Sequence, residues 1–559
     1  MNYLLEISIG PVQDFISAAR RTRDLWFGSM MLSELAKAAA LDVKNNHGEL
    51  IFPAPDNDKD LEPDSSLSVA NIILAEFKNA DSQKLRDVSR SALKAAKSRL
   101  KKYADDVLTK MGHWIVRPIY EAQIDDIIEF YSAWVPVIND DYYSARSNVA
   151  RLLASRKNIR NFNANPNRDG LRLPKSSLDG LRESVLIGDM SSLPEGVRIK
   201  PNESLDAIGL IKRVPVNNAA ERERNKFYSI TRVALSSWTR GRGSRFVNDP
   251  EFKRRYEELL QADEFDIDTI KYYLRDLEKY LPDAPYIAFI CADGDKMGAA
   301  LSSMKSPDEH RNFSRKLSGF AIRARNIVNN HGVCIYTGGD DVMAFVPVDK
   351  ALECARSLHD LFENIMGEFG ASLSVGVAIA HAMENLSMLL EYGREAESIA
   401  KKGIKNRAVL EGNDRNGLAV TVRSRGNIPF IIREQWNSNN NNDYLSTLSI
   451  DERINWFAER FMKSEIPAKF PYELRENAKF YEHWENPAQA VKADVIRIFN
   501  NKDVKLTADE KLIISGYIKS RVHDSLTLRE FADELILAQW ISSALKQSQE
   551  NNNHNQDGE

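Results

Sequence analysis

The chain contains very little cysteine and no long hydrophobic run. Its 559 residues include three cysteines, which form no CxxC pair and are too few for a four-cysteine zinc site. We interpret Cys291, Cys334 and Cys354 as small buried residues in a reducing compartment. No run of about 18 apolar residues occurs, and the N-terminus lacks a basic start followed by an apolar stretch. The sequence therefore predicts a cytoplasmic protein that binds neither zinc nor a membrane.

The chain also lacks a strong excess of either charge. Its formal net charge is -4, with 28% charged and 43% hydrophobic residues. This balance excludes a protein that coats nucleic acid through bulk electrostatic attraction. Contact with RNA would therefore use local basic patches or basic partner subunits. A chain of this length is too long for one hydrophobic core, so we expect several domains.

Periodicity and composition divide the chain into four units and a tail, in an α+β arrangement. The unit at 282–428 has the strand and helix order βαββαβ of a ferredoxin-like fold, with an added helix. The N-terminal segment also opens with a strand, at 3–9, and then a helix, so we interpret it as a degenerate copy. The expected units are a first ferredoxin-like domain (1–140), a mixed insert (141–281), a second ferredoxin-like domain (282–428), a C-terminal helical domain (443–548) and a disordered tail (549–559).

The second ferredoxin-like unit carries the candidate chemistry. Its first strand, at 286–291, is followed by Asp293, and its second and third strands form a hairpin whose tip is the sequence GGDD at 338–341. The first strand of such a sheet lies beside the third, which places Asp293 near Asp340 and Asp341. Carboxylates on rigid strand ends are the ligands that Mg²⁺ or Mn²⁺ requires. We therefore predict a site for two divalent ions, held by Asp293, Asp340 and Asp341.

Neighbouring residues complete the candidate site as nucleotide contacts. The glycines provide a tight turn and allow close approach of the backbone to a nucleotide. The helix at 386–402 would present lysines to a triphosphate. The predicted nucleotide-binding residues are Gly294, Asp295, Gly338, Gly339, Lys401 and Lys402. Two plainer interpretations stay open, namely that GGDD is an ordinary hairpin turn and that Lys401 lies on a solvated helix end.

Five segments together resemble a known family. They are ISIGPVQDFISAARRTRDLWFGS near the N-terminus, KSSLDG at 175–180, AIGLIKR at 207–213, CADGDKMG at 291–298 and YTGGDD at 336–341. In this order they resemble the large polymerase-cyclase subunit of Cmr-type (type III-B) CRISPR effector complexes. The resemblance implies two palm domains of ferredoxin-like fold, an intervening domain and a C-terminal helical bundle.

The resemblance also implies an activity and partners. The family's GGDD palm converts ATP into cyclic oligoadenylates when the complex, loaded with guide RNA, captures target RNA. Small and backbone subunits of the effector are the implied protein partners. Asp340 and Asp341 match the family's GGDD carboxylates, Asp293 matches its strand-end metal ligand, and Lys401 resembles its phosphate-facing basic residue.

The sequence departs from the family pattern in two ways. Many members begin with an HD nuclease domain, whereas here the first palm strand starts at Tyr3, so we do not expect DNA cleavage. The dipeptides His359–Asp360 and His523–Asp524 are better interpreted as features of helix surfaces than as a nuclease centre. The zinc-binding cysteines of the family's middle domain are also missing, so that region must be stabilised by packing alone.

Three other functions remain open at the level of sequence. The same palm is known in relatives that join ATP to S-adenosylmethionine, and the motif does not separate the two products. A scaffold subunit with a vestigial site would be expected to have lost a glycine or carboxylate, and this chain keeps them. A free-standing diguanylate cyclase would carry an acidic residue and Phe after the glycine-rich turn, where this chain has Asp341–Val342.

Clusters of basic residues could contact RNA or protein, or lie on solvated helix faces. We prefer protein contact for at least one of them, and sequence-independent binding of phosphates for any that meets RNA. The clusters are Arg20, Arg21 and Arg23 beside Trp26; Arg151, Arg156, Lys157 and Arg160; and Arg240, Arg242 and Arg245.

Overall fold

The structure is a computed structural model with two β-sheets, and it has the α+β class expected from the sequence. It describes residues 1–65, 67–159, 173–194, 196–197, 199–200, 202–214, 228–246, 249–261, 272–273, 275, 277, 285–403, 414–424, 429–436, 443–501 and 504–549. Within these ranges no helix has both the length and the apolar character needed to cross a membrane.

The N-terminal sheet has four strands in the order β2-β3-β1-β4, and its neighbouring strands are antiparallel. The strands are β1 (Tyr3–Gly10), β2 (Glu49–Phe52), β3 (Ile72–Phe77) and β4 (Glu129–Pro136). The helices are α1 (Gln13–Ser17), α2 (Thr22–Asn45), α3 (Ser82–Met111), α4 (Arg117–Asp126) and α5 (Tyr142–Asn158). This is the strand order of a ferredoxin-like fold, so the N-terminal segment is the second copy that the sequence suggested.

The second sheet contains the same four-strand unit and continues beyond it. Its order is β10-β9-β8-β5-β7-β6. The strands are β5 (Tyr286–Asp295), β6 (Val333–Gly338), β7 (Asp341–Pro347), β8 (Ser372–His381), β9 (Gly417–Arg423) and β10 (Phe430–Gln435). Strand β5 pairs with β7, so the first strand lies beside the third as expected.

Three elements of the second palm were not predicted. Strand β9 pairs parallel to β8, and β10 pairs antiparallel to β9, so the sheet reaches Gln435 rather than ending by 428. A short helix, Met297–Ser302, directly follows β5. Its N-cap residue, Lys296, adopts a left-handed conformation with φ 59°.

Helices cover both faces of the second sheet. The helices between α5 and the C-terminal domain are, in chain order, α6 (Ala207–Arg213), α7 (Ile230–Arg240), α8 (Pro250–Gln261), α9 (Met297–Ser302), α10 (Pro307–His331), α11 (Ala351–Met366) and α12 (Leu386–Lys402). Side chains on one face of β5, such as Ile290, pack with Phe320 of α10 and Leu358 of α11. The opposite face, with Phe289 and Cys291, joins the apolar core of the N-terminal unit.

The two palm units pack closely against each other. The side chain of Tyr142, at the start of α5, hydrogen-bonds His310 of α10 with 2.7 Å between the hydroxyl oxygen and Nδ1. The backbone N–H of Ala54 donates to Ser314 Oγ at 3.0 Å. Helix α5 packs on the N-terminal sheet through Val149 and neighbouring residues, although the sequence had assigned it to the insert.

A buried ionic network connects the insert to the first palm. Arg213 is fully buried at the end of α6, and its guanidinium donates to Asp24 Oδ2 at 2.7 Å and to both carboxylate oxygens of Glu203 at 2.9 and 3.0 Å. Lys212 donates to the backbone carbonyls of Phe15 and, at 3.0 Å, Ala18. Two of the five recognised segments, those at the N-terminus and at 207–213, therefore meet through buried charge.

The C-terminal domain is helical, as expected. Its helices are α13 (Tyr444–Thr447), α14 (Ile450–Met462), α15 (Phe470–Ala478), α16 (Ala488–Asn501), α17 (Ala508–Arg521) and α18 (Ser525–Ser548). Short 3₁₀ segments occupy Asp58–Leu61, Gly112–Trp114, Met190–Ser192, Arg242–Phe246, Val348–Lys350, Gly367–Phe369 and Lys479–Tyr481. Buried Arg453 of α14 forms ion pairs with Glu434 of β10 and Glu534 of α18, which links this domain to the edge of the palm sheet. The expected tail falls outside the described residues from 550 onward.

Candidate active site

The end of β5 and the β6–β7 hairpin bring the candidate carboxylates together. Ala292 of β5 is paired with Val342 of β7, and Gly338 is paired with Asp341 across the hairpin. Asp293 therefore follows the last β5 residue that pairs with β7, directly beside the GGDD turn. Carboxylate oxygens of Asp293, Asp340 and Asp341 all lie within 4.8 Å of one another, and each residue is half-buried.

The local electrostatics favour a cation at this cluster. Burial raises the pKa of Asp340 above its ordinary value. The pKa of Asp341 is raised as well, first by burial and then by the negative charges of Asp340 and Glu397. Neighbouring carboxylates in a poorly solvated place resist being ionised together unless positive charge balances them. All three donors are carboxylate oxygens, which suit Mg²⁺ or Mn²⁺, so these residues fit the expected ions.

Lys401 of α12 lies directly at the carboxylates. Its ammonium group forms an ion pair with Asp293 and lies 3.1 Å from Glu397 Oε1. Burial lowers the pKa of Lys401 to about 8. Lys402, the next residue, has an exposed side chain instead. The structure thus separates the two lysines that the sequence had grouped together.

The glycines have three different local roles. A Cβ on Gly294 would lie 2.8 Å from both Cβ and Oδ2 of Asp340, so this position must lack a side chain for Asp340 to approach β5. A Cβ on Gly338 would collide with the Tyr336 hydroxyl at 1.9 Å. Gly339 has φ +69°, a conformation that favours glycine.

Asp295 lies outside the group formed by Asp293, Asp340 and Asp341, and its contact with nucleotide stays a prediction. Its side chain is only 1% exposed. The oxygen Oδ2 accepts hydrogen bonds from Ser372 Oγ at 3.1 Å, Ser374 Oγ at 2.7 Å and the backbone N–H of Asn416 at 2.9 Å. Asp295 therefore anchors the sheet end through Oδ2, whereas its Oδ1 is buried and has no hydrogen-bond partner among the described residues.

Several residues near the cluster were missed at the level of sequence. Glu397 precedes Lys401 by one helical turn, and this i,i+4 spacing was the available signal. The backbone N–H of Arg415 donates to the carbonyl of Lys401 at 2.7 Å, and Arg433 donates to the carbonyl of Ala400 at 3.2 Å. No local pattern could reveal these contacts, because both come from the part of the chain beyond α12.

A second group of possible metal ligands lies on α11 and includes the dipeptide His359–Asp360. Oxygen and nitrogen atoms of His359, Asp360 and Glu363 lie within 4.8 Å of one another. Both ring nitrogens of His359 are already hydrogen-bonded, Nδ1 to Asp360 Oδ1 and Nε2 to Asn416 Oδ1, each at 3.0 Å. The ring is only 1% exposed, which corrects its interpretation as a helix-surface feature.

The basic clusters differ in their surroundings. Arg21 is only 4% exposed, so a solvated helix face is excluded for this residue. Arg20 donates to the backbone carbonyl of Ser177, and Arg23 lies 3.8 Å from Asp24. The remaining described members are exposed, and these are Arg151, Arg156, Lys157 and Arg240. Arg160 and the side chains of Arg242 and Arg245 lie outside the described part of the chain.

The chain matches two family models. Residues 286–409 match the model described as Cas10/Cmr2, second palm domain, and residues 4–108 match the N-terminal domain of CRISPR-associated protein Cmr2. Among curated proteins, the CRISPR system Cmr subunit Cmr2 of Pyrococcus furiosus is 29% identical over 206 residues. That alignment covers 31% of this chain and 22% of the relative, so it spans about a fifth of the relative's length.

Solved structures support the same fold. The chain resembles a subunit in the cryo-EM structure of type III-B Cmr-beta in the apo state, with 14% identity and a TM-score of 0.63, over 93% of this chain and 81% of that one. It resembles Cmr-beta bound to cognate target RNA with a TM-score of 0.64 and 14% identity, over 93% and 82% of the two chains. At this identity the likeness concerns the fold alone.

The paired ferredoxin-like sheets and the carboxylate-bearing hairpin define a palm protein with the general fold of nucleotidyltransferases. Its two matching models, its curated relative and its structural neighbours agree on one group within that class. Over these matched residues the chain is similar to the Cas10/Cmr2 family of type III-B CRISPR systems.

Proposed function

We propose that this chain is an RNA-activated nucleotidyl cyclase that joins ATP molecules into a cyclic oligoadenylate. The observation that carries this proposal is the meeting of Asp293, Asp340 and Asp341, with oxygens within 4.8 Å of one another, beside Lys401. Two divalent ions, when bound, would make a ribose hydroxyl more acidic and balance the charge of the departing pyrophosphate. No zinc is needed for this chemistry.

Each residue of the site has a distinct part in this reaction. The three aspartates would hold the ions through their carboxylate oxygens. Lys401, now paired with Asp293 and Glu397, would turn toward the triphosphate as its charge enters the site. Gly338 and Gly339 would let the nucleotide approach the hairpin backbone, and Gly294 keeps Asp340 close to β5. Exposed Lys402 would contribute only long-range attraction.

We propose that the cyclase works within an effector complex. Its partners would be guide RNA, target RNA and the small and backbone subunits, in line with the resemblance to Cmr-beta structures. The exposed basic side chains of α5 are candidates for contact with RNA or protein. We propose no part in DNA cleavage for His359 and Asp360, because both imidazole nitrogens are engaged in hydrogen bonds.

Packing also supports revised domain limits. We propose a first palm that includes α5 and ends near residue 158, since Val149 and Leu153 pack on its sheet. The second palm would run from 286 to about 436, because β9 and β10 continue its sheet. We keep the insert between them and the helical domain at 443–548 as proposed units.

The direct test is product formation by the assembled complex. Wild-type complex is incubated with ATP, Mg²⁺ and target RNA, and the products are identified by mass spectrometry. The variant Asp340→Ala/Asp341→Ala should assemble normally and form no product. Asp105→Ala/Asp106→Ala is the matched control, since it removes two adjacent exposed aspartates on α3 and should retain full activity. Product from the Asp340/Asp341 variant would reject the proposal.

The same assay separates the alternative functions. Adding S-adenosylmethionine together with ATP would reveal an ATP conjugate by its mass, because only the acceptor changes while the site for the attacked ATP is shared. A complex that assembles on RNA but consumes no ATP in either mixture would indicate a scaffold subunit. A guanine-based cyclic product from GTP would indicate a diguanylate cyclase.

A further inference from the structure

A short turn next to the site links helix α12, which bears Lys401, to strand β5, which bears Asp293. In the turn Asp414–Asn416, Arg415 and Asn416 both have positive φ, 66° and 43°. The backbone N–H of Arg415 donates to the Lys401 carbonyl at 2.7 Å, at the end of α12. The backbone N–H of Asn416 donates to Asp295 Oδ2 at 2.9 Å, at the end of β5. This turn therefore fixes Lys401 relative to the strand that bears Asp293.

His359 of α11 contacts the Asp414–Asn416 turn through the side chain of Asn416. Its Nε2 lies 3.0 Å from Oδ1 of Asn416, and its Nδ1 lies 3.0 Å from Oδ1 of Asp360. The imidazole ring packs on the indole of Trp436, with 4.7 Å between ring centroids. The backbone N–H of Trp436 donates to the carbonyl of Asn416 at 3.0 Å. Asn416 thus receives contacts on both its backbone and its side chain.

From this geometry we infer that His359 and Asn416 are positioning residues of the active site, an inference that rests on the proposed cyclase function. Their side-chain hydrogen bonds go to Asp360 and to each other, not to the three carboxylates. They act through the Asp414–Asn416 turn, which sets the distance between the Lys401 ammonium and Asp293. Partners outside the first layer of ligands commonly hold metal ligands in register, and their loss costs about 10–100-fold in affinity or activity.

The left-handed backbone explains why asparagine suits position 416. Asparagine adopts this conformation more readily than most residues other than glycine, and its side-chain amide can also bond His359. Asn416→Gly keeps the backbone conformation and removes only the side-chain contact. His359→Phe keeps an aromatic ring against Trp436 and removes both hydrogen bonds, whereas His359→Gln retains an amide that can bond Asn416. These three variants separate positioning from simple packing.

The test measures kcat and KM for ATP in the assembled complex with target RNA, together with the thermal midpoint of each variant. We expect His359→Phe and Asn416→Gly each to lower kcat/KM by about 10–100-fold. The double variant should be no worse than the poorer single variant, because both remove the same hydrogen bond. His359→Gln should recover most of the activity. Wild-type kcat/KM in His359→Phe, or equal losses in the Phe and Gln variants at equal thermal midpoints, would overturn the inference.

A binding measurement keeps this inference separate from the proposed function. Affinity for ATP in the presence of Mn²⁺ is measured by calorimetry on the full chain. His359→Phe and Asn416→Gly should bind about tenfold more weakly than wild type, with His359→Gln close to wild type. A wild-type chain that binds Mn²⁺ and ATP without forming product would refute the cyclase while leaving the positioning inference to be judged by these affinities. Unchanged affinity in all three variants would overturn it.

Discussion

The Tyr142 hydroxyl lies 2.7 Å from Nδ1 of His310, and this buried hydrogen bond joins the first palm unit to the second. Both side chains are at most 3% exposed. Tyr142 begins α5 and His310 lies in the first turns of α10, so the bond connects two helices that belong to different sheets. The relative placement of the two palms therefore depends on polar contacts as well as on their shared apolar core.

Removal of one partner of this bond should weaken the joint between the palms. Tyr142→Phe leaves the His310 nitrogen buried without its partner, which typically costs about 1–3 kcal/mol in the free energy of unfolding. The double variant Tyr142→Phe/His310→Phe replaces both partners with apolar rings and should recover part of that loss. Denaturant unfolding at neutral pH measures both effects. A single variant as stable as wild type would show that the bond contributes nothing.

The buried contact between Tyr142 and His310 should make the free energy of unfolding depend on pH. Burial, followed by the charges of Arg146 and Arg311, lowers the pKa of His310 to about 3. Between pH 3 and its unfolded value near 6.5, the unfolded state binds more protons, so stability is fully present above pH 6.5 and declines as the pH falls. At pH 5 the loss from this residue is about 2 kcal/mol. Comparing unfolding midpoints at pH 7.5 and 5 should show a smaller acid sensitivity in His310→Phe, and an equal sensitivity would contradict the assignment.

The buried ionic network of the insert should be sensitive to loss of its cation. Arg213→Ala leaves the carboxylates of Asp24 and Glu203 buried without their main partner, which costs about 3–5 kcal/mol. Arg182→Ala is the control, because Arg182 is partly exposed and lies 3.8 Å from Asp126. We expect it to cost about 1 kcal/mol or less. Similar thermal midpoints for the two variants would show that the network does not stabilise the insert.

Close packing at β5 should make Gly294 essential for activity. In Gly294→Ala the new methyl group would lie 2.8 Å from Asp340, which must shift away from the other carboxylates. A displacement on the scale of 1 Å can cost about 100-fold in rate. Gly298→Ala places a methyl group in open space only four residues later and should remain active. Initial rates of ATP consumption compare the two variants, and equal rates would contradict the tight approach of Asp340.

Adjacent lysines at the end of α12 should differ in their effect. Lys401 is ion-paired with Asp293 and Glu397, whereas Lys402 is exposed. Loss of a charge that stabilises the transition state typically costs about 10²–10³-fold in kcat. Lys401→Ala should show a loss of that size, and Lys402→Ala a much smaller one. Steady-state kinetics with ATP would measure both, and comparable losses would refute the distinction.

Much of the second palm could be predicted from its sequence. Apolar strands, a helix periodicity of 3.6 residues and the glycine-rich turn are local signals, and they predicted β5 to β8 together with the neighbourhood of Asp293 and the hairpin. Strand β9 was missed because it pairs in parallel with β8 across the intervening helix α12, so no hairpin turn marks the pair, and β10 was missed together with β9, its pairing partner. The sequence at the start of α5 does not indicate which sheet the helix will cover, so we grouped it with the insert, whereas Val149 and Leu153 pack on the N-terminal sheet.

The sequence predicted only those site residues that lie within short, recognisable motifs. The aspartates and glycines lie in two recognisable turns, whereas Asn416 approaches Asp295 from 121 residues away. The depth of a side chain is also a tertiary property. The same helical spacing that indicates an exposed His359 accommodates a ring buried against Trp436.

Anomalous scattering from Mn²⁺ in crystals of the full chain with a non-hydrolysable ATP analogue tests the central claim most directly. The account predicts manganese peaks enclosed by the carboxylates of Asp293, Asp340 and Asp341, with the triphosphate next to Lys401, and none at His359–Asp360. A map in which manganese and the analogue bind elsewhere, with the three carboxylates left bare, would contradict it.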